Sequence, residues 1–281
     1  MLREIQNNEN KEQEKQKNRF ILIVLICIIC LIITVVVQIV ELSNPITTES
    51  KNNEQTEIIN FNQLFNNKIN MQEYSVNSSY KKDLNKEIVY TGYEKIEKNE
   101  KKYELSVKIP TINIESNKVN EINKEIIEIF QAKAESIIKS ETENEAIYTV
   151  EYSSYINSDI LSLVIRSTLK EGRNAQRVIV KGYTYNITTG EILTINDLIS
   201  LKNLDTNNIK SQIRSVVKAN IEQNKTLINL GYNIYERNLE DEMYKIENID
   251  NFFYGPNGAL YIIFAYGNNR YTSELDVIPI N

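Results

Sequence analysis

The sequence predicts an α+β fold, a mainly antiparallel sheet with two packed helices, preceded by a single transmembrane helix. Three observations lead to this prediction. Several segments alternate apolar and polar residues as half-buried strands do, and two others repeat apolar residues at helical spacing. Residues 20–40 carry no charge at all. In chain order the elements run β-α-β-β-β and then α-β-β, which is typical of helices that cover an antiparallel sheet.

The uncharged run has the length of a membrane-crossing helix. Its 21 residues contain only two clearly polar side chains, Thr34 and Gln38. At about 1.5 Å per residue, the run matches a bilayer core of roughly 30 Å. A signal peptide would have a shorter apolar region that ends at a small-x-small cleavage site. We therefore expect an uncleaved signal anchor.

The flanking charges orient this anchor. Positive residues precede it and acidic residues follow it: Lys15, Lys17 and Arg19 on one side, Glu41 and Glu49 on the other. Positive charge beside a span favours the cytoplasmic side. We expect a cell-membrane protein that crosses once, with a cytoplasmic N-terminus and an extracytoplasmic C-terminal domain.

This topology divides the chain into five segments. They are a cytoplasmic tail at 1–19, the transmembrane helix at 20–40, an extracytoplasmic stalk at 41–85, a first α+β module at 86–185 and a second at 186–281. The stalk is rich in Asn, Ser, Thr and Glu, a composition that does not favour a packed core. Its apolar residues Phe61, Leu64 and Phe65 could dock either on the globular part or on lipid.

The first module begins with clear strand and helix patterns. Residues 103–109 alternate strictly and predict a strand that ends at Pro110. Apolar residues then recur on one helical face between residues 119 and 137. Two further strands flank residues 157–159, a short polar stretch that predicts a hairpin turn.

The second module opens with YNITTGEILTINDLI, residues 185–199. Gly190 predicts a turn with positive φ. Thr194 to Asp197 fits the T-x-x-D pattern of a capping box, so we interpret Asp197 as the start of a helix rather than as a catalytic group. A second amphipathic helix follows. Leu260–Tyr266 is apolar on both faces, which predicts a central strand.

Composition excludes several classes of chemistry. The chain has no histidine, which removes Ser-His and Cys-His nucleophile systems and most zinc sites. Cys27 and Cys30 both lie in the predicted span, so the external part has no disulfide. The net charge of the chain is −6. Nucleic-acid-binding proteins usually carry a basic surface, so this composition argues against that class. We predict no catalytic, cofactor-binding or metal-binding residues, and a protein that is not an enzyme.

Two residue types leave alternatives open. A pair of carboxylates could perform glycosidase chemistry, although 38 acidic residues produce such sets by chance. The carboxylates considered are Glu191, Asp197, Glu274 and Asp276. Tyrosines near the last hairpin either pack in the core or form a ligand face. The residues of this candidate ligand face are Tyr254, Tyr261, Tyr266 and Tyr271.

Two stretches resemble a known family. YTYNITTGEILTINDLI is similar to its signature y-d-x-x-T-G-x-x-l-t-l-x-D-l-f, and NFFYGPNGALYIIFAYGNNRYTSELDVIPI is similar to F-y-x-x-x-d-G-l-x-i-y-f-x-x-y. The family is the extracytoplasmic domain of RsiV-type membrane anti-sigma factors. A similar module pair precedes the catalytic domain of PdaC-type peptidoglycan deacetylases. The resemblance extends over residues 88–281.

The resemblance implies binding rather than catalysis. In RsiV-type proteins this domain binds lysozyme directly, which triggers proteolysis and frees a sigma factor. We therefore expect a membrane-anchored binding or sensing protein whose partners are the membrane and either a lysozyme-like protein or peptidoglycan, and not nucleic acid. The alternatives are a carboxylate-dependent cell-wall glycan enzyme and a non-catalytic envelope or sporulation scaffold. No ligand-contact residue carries over, because the matched motifs form the fold.

Overall fold

The computed structural model describes residues 61–65, 80–100, 102–140, 145–267 and 272–280. These residues belong to one compact unit, residues 55–281. The predicted anchor at residues 20–40, the cytoplasmic tail and most of the stalk lie outside the described residues. Within the described part, no helix has the length and apolar character that a membrane crossing requires. The five-segment division stays a prediction.

The described strands form two sheets. The first has six strands in the order β1 to β6, and the second has three in the order β7 to β9. The strands are β1 (Val89–Asn99), β2 (Tyr103–Ile112), β3 (Ala146–Asn157), β4 (Ile160–Glu171), β5 (Arg177–Asn186), β6 (Glu191–Ile192), β7 (Phe252–Tyr254), β8 (Leu260–Tyr266) and β9 (Glu274–Ile280).

Helices lie between these strands. They are α1 (Asn117–Ile126), α2 (Ala132–Lys139), α3 (Ile195–Lys202) and α4 (Thr206–Asn229). A π-helical turn, Ile127–Gln131, joins α1 to α2, so the predicted first helix is present with a local change of register. Short 3₁₀ turns occur at Phe61–Phe65, Glu242–Tyr244, Ile246–Asn248 and Pro256–Gly258.

The predicted mixture of helices and sheet is confirmed, and the larger sheet is mixed in strand direction. Described strand neighbours run antiparallel except β2 and β3, which run parallel. The helical segment α1–α2 lies between these two strands in sequence. A parallel pair requires such a crossover, because its second strand must start at the same end as the first.

Strand β2 is longer than the sequence predicts. It continues past Pro110 to Ile112 instead of ending at the proline. Pro110 pairs with Thr91, where the register of β1 shifts before Tyr93. Proline lacks a backbone N–H and is tolerated in sheets at such irregularities. The prediction that Pro110 ends the strand is therefore wrong.

The elements stack in four layers. Helices α1 and α2 and the π-helical turn between them cover one face of the six-stranded sheet, where Ile126 and Phe130 share one buried core with Tyr148 and Leu163. The three-stranded sheet covers part of the other face. In β8, Tyr261 and Ile263 face the larger sheet. The even-numbered residues of β8 join a separate core with α3 and α4. The prediction that Leu260–Tyr266 is a central strand is confirmed.

One turn of the predicted stalk, Phe61–Phe65, docks on the folded part. Leu64 and Phe65 are 2% and 9% exposed and share a buried core with Tyr155 and Phe253. The hydroxyl of Tyr155 donates to the carbonyl of Leu64 at 3.4 Å. Of the two alternatives that the sequence leaves open, docking on the globular part rather than on lipid is therefore the one observed.

The two sheets meet closely where β7 approaches β5. A Cβ atom on Gly182 would lie less than 3.0 Å from the carbonyl oxygen of Phe252, so only glycine permits this approach. The side chain of Asn251 binds the same edge of β5. Its Oδ1 accepts from the N–H of Gly182 at 2.9 Å, and its Nδ2 donates to the carbonyl of Val180 at 2.8 Å.

Thr272 completes another part of this edge. Its backbone forms an isolated antiparallel bridge with Val178. The N–H of Val178 donates to the carbonyl of Thr272 at 2.6 Å, and the reverse bond is 3.3 Å long. Unpaired strand edges are costly when they are buried. Asn251 and Thr272 satisfy this edge without a full neighbouring strand, and both come from the second sheet or its flanks.

The amide of Asn251 should contribute strongly to stability. Asn251→Asp keeps an acceptor for Gly182 but places a carboxylate beside the carbonyl of Val180, which loses its donor. We expect the free energy of unfolding to fall by about 1–3 kcal/mol, the cost of an unsatisfied buried polar group. Chemical denaturation measures this loss. The matched control is Asn233→Asp at an exposed position, and an equal loss in both variants would contradict the role of the amide.

Candidate functional site

The structure separates the tyrosines of the candidate ligand face. Tyr254, Tyr261 and Tyr266 are only 8%, 1% and 4% exposed. Tyr261 faces the six-stranded sheet, whereas Tyr254 and Tyr266 lie in the core with α4. Tyr271 lies outside the described residues. The three described side chains therefore do not form one exposed face, because alternate residues of a strand point to opposite sides.

Asp197 lies in the first turn of helix α3, three residues after the N-cap Thr194. Its backbone N–H donates to Thr194 Oγ1 at 3.2 Å, and its Oδ2 accepts from the N–H of Thr194 at 2.8 Å. This reciprocal pair is the capping box that the sequence predicts. The hydrogen bonds from the Thr194 hydroxyl and backbone lower the pKa of Asp197. The interpretation of Asp197 as a helix cap is confirmed. Gly190, in the preceding turn, has the predicted positive φ of 77°.

The other three carboxylates have different surroundings. Glu191 is exposed on the two-residue strand β6. Glu274 and Asp276 both bind one guanidinium, that of Arg237. Asp276 and the Arg237 side chain are 7% and 6% exposed, so this ion pair is buried.

Arg237 and Asp276 form a two-pronged ion pair. Arg237 Nε donates to Asp276 Oδ2 at 2.9 Å, and a terminal nitrogen donates to Oδ1 at 3.0 Å. The other terminal nitrogen reaches Glu274 Oε2 at 3.3 Å. Burial alone would lower the pKa of Arg237, but the hydrogen bonds and charge of Asp276 raise it above the usual arginine value. The guanidinium therefore stays protonated and positively charged, and it does not act as an acid.

Two tyrosine hydroxyls extend this cluster. The hydroxyl of Tyr266 donates to Asp276 Oδ2 at 2.6 Å, and the hydroxyls of Tyr244 and Tyr266 are 3.0 Å apart. The guanidinium of Arg237 also lies over the Tyr266 ring, 4.2 Å from its centre. Burial, followed by the hydrogen bond to Asp276, raises the pKa of Tyr266. We call Arg237, Asp276, Glu274, Tyr266 and Tyr244 the arginine cluster.

The arginine cluster supports an exposed stretch of chain. Residues 230–235, LGYNIY, follow α4 and carry no charged side chain. Leu230, Tyr232 and Tyr235 are 70%, 62% and 39% exposed. These three large apolar or aromatic side chains fall within six residues of the sequence. Contiguous exposed apolar patches are typical of interaction sites. We call residues 230–235 the tyrosine segment.

Both ends of the tyrosine segment are fixed. At its start, Gly231 has φ 88°, and its N–H donates to the carbonyl of Ile228 at 2.9 Å. The N–H of Tyr232 donates to the carbonyl of Leu227 at 3.1 Å. These two bonds form a Schellman motif that ends α4.

The other end of the tyrosine segment contacts the arginine cluster. The N–H of Tyr235 donates to Glu274 Oε1 at 2.7 Å. The Tyr235 ring stacks on the Tyr266 ring with centres 5.0 Å apart. Arg237, two residues further on, is held by Asp276. The segment therefore lacks regular secondary structure but is anchored by backbone, ring and charge contacts.

Two clefts are lined by other residues. One, of about 330 Å³, lies between β5 and β8 and includes Lys181, Met243 and Asp250 in its wall. The other, of about 280 Å³, lies beside the ion pair of Lys133 and Glu171. Neither is lined by the four carboxylates considered above. In the described ranges, no group of three or more Asp, Glu or Cys side chains is arranged to hold a metal ion.

Comparison with solved structures gives a coarse fold relationship. The chain is similar to the crystal structure of a DUF3298 family protein from Pseudomonas aeruginosa PAO1, with a TM-score of 0.36 and 10% identity over 65% of this chain and 83% of that chain. DUF3298 is the domain type found in RsiV- and PdaC-like proteins. No family model and no curated protein matches the chain. Similarity at this level supports no inference about function.

The arginine cluster and the tyrosine segment were not predicted from the sequence. Residues 224–250 lack a regular apolar period, so the sequence assigns them no element. Asp276 and Glu274 were considered as carboxylates, but their partner Arg237 is 39 and 37 residues away in the chain. The sequence feature that indicates the tyrosine segment is the uncharged stretch LGYNIY, in which two tyrosines follow a glycine that can end a helix.

Removal of one partner from the buried ion pair should destabilise the fold strongly. Arg237→Ala leaves Asp276 buried without its counter-charge, and we expect the free energy of unfolding to fall by about 3–5 kcal/mol. Arg237→Lys should lower the free energy of unfolding by a smaller amount, because lysine keeps the positive charge. Some loss should remain, since lysine cannot bind both oxygens of Asp276. Chemical denaturation measures both losses.

The control is Arg214→Ala. Arg214 pairs with Glu240 at 3.5 Å on the surface, with side chains 63% and 76% exposed. Its loss should cost less than about 1 kcal/mol. If Arg237→Ala were as mild as this control, Asp276 would not depend on Arg237 as its buried counter-charge.

Proposed function

We propose that this chain is a membrane-anchored extracytoplasmic binding or sensing protein that recognises a cell-wall component or a lysozyme-like protein and is not an enzyme. The observation that carries the proposal is the tyrosine segment, which is exposed, uncharged and anchored at both ends. The resemblance to RsiV-type domains and the predicted anchor at residues 20–40 supply the cellular context. The ligand would bind outside the cytoplasm.

The composition of the tyrosine segment suits recognition. Tyrosine offers a large contact area with few rotatable bonds, so little side-chain entropy is lost on binding. The anchored backbone adds to this advantage, since a preorganised surface has less freedom to lose. Leu230 and Tyr232 provide apolar area, and the amide of exposed Asn233 lies between the two tyrosines in sequence.

The absence of charge from residues 230–235 argues for a particular kind of ligand. Surfaces that bind anionic lipid or nucleic acid present several lysines or arginines. The nearest arginine in sequence, Arg237, is buried against Asp276. An uncharged aromatic segment, with the exposed carboxylate of Glu236 beside it, instead fits a neutral glycan or an uncharged patch on a protein.

The alternative of a carboxylate-dependent glycan enzyme receives less support. Glycosidases need two carboxyl groups that face one substrate, one of them able to donate a proton. Glu274 and Asp276 are close together, but both bind Arg237. Asp197 is engaged in a helix cap. These contacts favour structural roles for the three carboxylates.

Replacement of Tyr232 should weaken ligand binding. We expect Tyr232→Ala to reduce affinity about 30-fold, the effect of losing about 2 kcal/mol at an aromatic interface residue. The measurement is a titration of the full chain in detergent against lysozyme and, separately, against soluble peptidoglycan fragments. Circular dichroism should show that the variant remains folded, because the Tyr232 side chain is 62% exposed.

A matched pair of leucines controls this experiment. Leu230 and Leu84 are both 70% exposed, but only Leu230 belongs to the tyrosine segment. Leu230→Ala should weaken binding, and Leu84→Ala should not. If neither ligand bound saturably, the proposed function would be wrong. If binding were normal in both Tyr232→Ala and Leu230→Ala, the ligand site would lie elsewhere.

A further inference from the structure

Strand β1 lies at an open edge of the six-stranded sheet. It pairs with β2 on one side, and no strand among the described residues pairs with its other side. An unpaired strand edge presents N–H and C=O groups to which a strand of another molecule can bind. Ile96, near the middle of β1, is 66% exposed.

The backbone groups of three residues point outward from this edge. The carbonyl of Asn99 points towards β2, because it accepts from the N–H of Lys102 at 3.0 Å in the turn between the two strands. Backbone groups alternate in direction along a strand of an antiparallel pair. The N–H and C=O groups of Glu94, Ile96 and Lys98 therefore point away from β2.

The order of charges along β1 makes this edge complementary to itself. Residues 94–98 read EKIEK. Two such strands can run antiparallel with Ile96 opposite Ile96, so that the outward backbone groups of both strands face each other. On the outer face of the sheet, Glu94 then lies opposite Lys98. On the face that the helices cover, Lys95 lies opposite Glu97. Opposite charges across two strands stabilise their pairing.

The two neighbouring registers lack this complementarity. If the centre of pairing moves one residue towards the N-terminus, Lys95 lies opposite Lys95. If it moves one residue towards the C-terminus, Glu97 lies opposite Glu97. Like charges directly opposite each other destabilise a strand pair. The charge pattern therefore favours the register centred on Ile96 over both neighbours.

The ion pairs that β1 forms with β2 fit the same arrangement. Lys108 Nζ lies 3.6 Å from Glu94 Oε1, and Lys98 Nζ lies 2.9 Å from Glu104 Oε2. Glu94 and Lys98 are 51% and 62% exposed, so both stay accessible to a second partner. Pairing of two copies extends these ion pairs into a row of alternating charge: Lys108 and Glu94 of one copy, then Lys98 and Glu104 of the other.

We propose that β1 pairs with β1 of a second copy of this chain, antiparallel and centred on Ile96, so that the two six-stranded sheets join across a two-fold axis. Each copy uses the same edge, so assembly by this edge stops at the dimer. The contact involves two short strands, so the dimer is weak and reversible. The interface contains no residue of the tyrosine segment, and the proposal does not depend on the proposed function.

Two charge-reversed variants of the full chain, in detergent, test this pairing. Lys95→Glu/Lys98→Glu leaves only acidic charges on residues 94–98, and Glu94→Lys/Glu97→Lys leaves only basic ones. Each variant alone should dimerise about a hundredfold more weakly than the native chain, because four opposite-charge contacts become like-charge contacts. An equimolar mixture of the two should dimerise about as strongly as the native chain, since opposite charges meet again. Sedimentation equilibrium over a series of protein concentrations measures each dissociation constant.

Two further variants separate backbone pairing from a general effect of charge. Ile96→Pro removes an outward N–H and none that points towards β2, a position where an edge strand tolerates proline, and it should abolish the dimer. Lys210→Glu/Lys225→Glu makes the same change in net charge at exposed positions of α4 and should leave the dimer unchanged. Circular dichroism should show that all variants are folded.

Three results would overturn the proposal. The first is a native chain that stays monomeric up to its limit of solubility. The second is a dimer of native strength in both charge-reversed variants, or in folded Ile96→Pro. The third is a mixture of the two charge-reversed variants that dimerises no more strongly than either variant alone.

Discussion

The close approach of β7 to β5 is the constraint on which the rest of the structure depends. Gly182 allows the backbone of Phe252 to approach β5, and Asn251 binds the otherwise unpaired edge of β5 through the oxygen and the nitrogen of its side-chain amide. This contact fixes the second sheet on the first. The alternation along β8 then directs Tyr261 and Ile263 into one core and Phe264 and Tyr266 into another.

The tyrosine segment, which we propose for recognition, depends on this arrangement. On one side of the second sheet, Tyr261 and Phe253 belong to the same buried core as Leu64 and Phe65. On its other side, Tyr266 supports Tyr235 and completes the arginine cluster. A buried ion pair is weak evidence for added stability, because desolvation offsets much of the attraction. Its role here is to specify position, since Arg237 fixes an irregular segment against β9.

Local features were predictable from the sequence, and features that depend on distant partners were not. The cap at Asp197 and the turn at Gly190 need only neighbouring residues, so their patterns predict them correctly. The parallel pairing of β2 and β3 was not predicted, because an alternating strand looks the same whichever way its neighbour runs. Closeness in sequence groups Tyr254, Tyr261 and Tyr266 into one candidate ligand face. In the structure, Tyr261 points to one side of the second sheet and Tyr266 to the other, because alternate residues of a strand point to opposite sides. The site at residues 230–237 depends on Asp276, far along the chain, and no local pattern indicates that pairing.

Native-state hydrogen exchange across a denaturant series most directly tests whether the two sheets form one cooperative unit that holds the tyrosine segment on a rigid base. The amides to compare are those of β4 in the first sheet and β8 in the second. Our account predicts that both groups exchange through the same opening, with equal free energies and equal denaturant dependence. Exchange of β8 at a clearly lower free energy, while β4 stays protected, would contradict it.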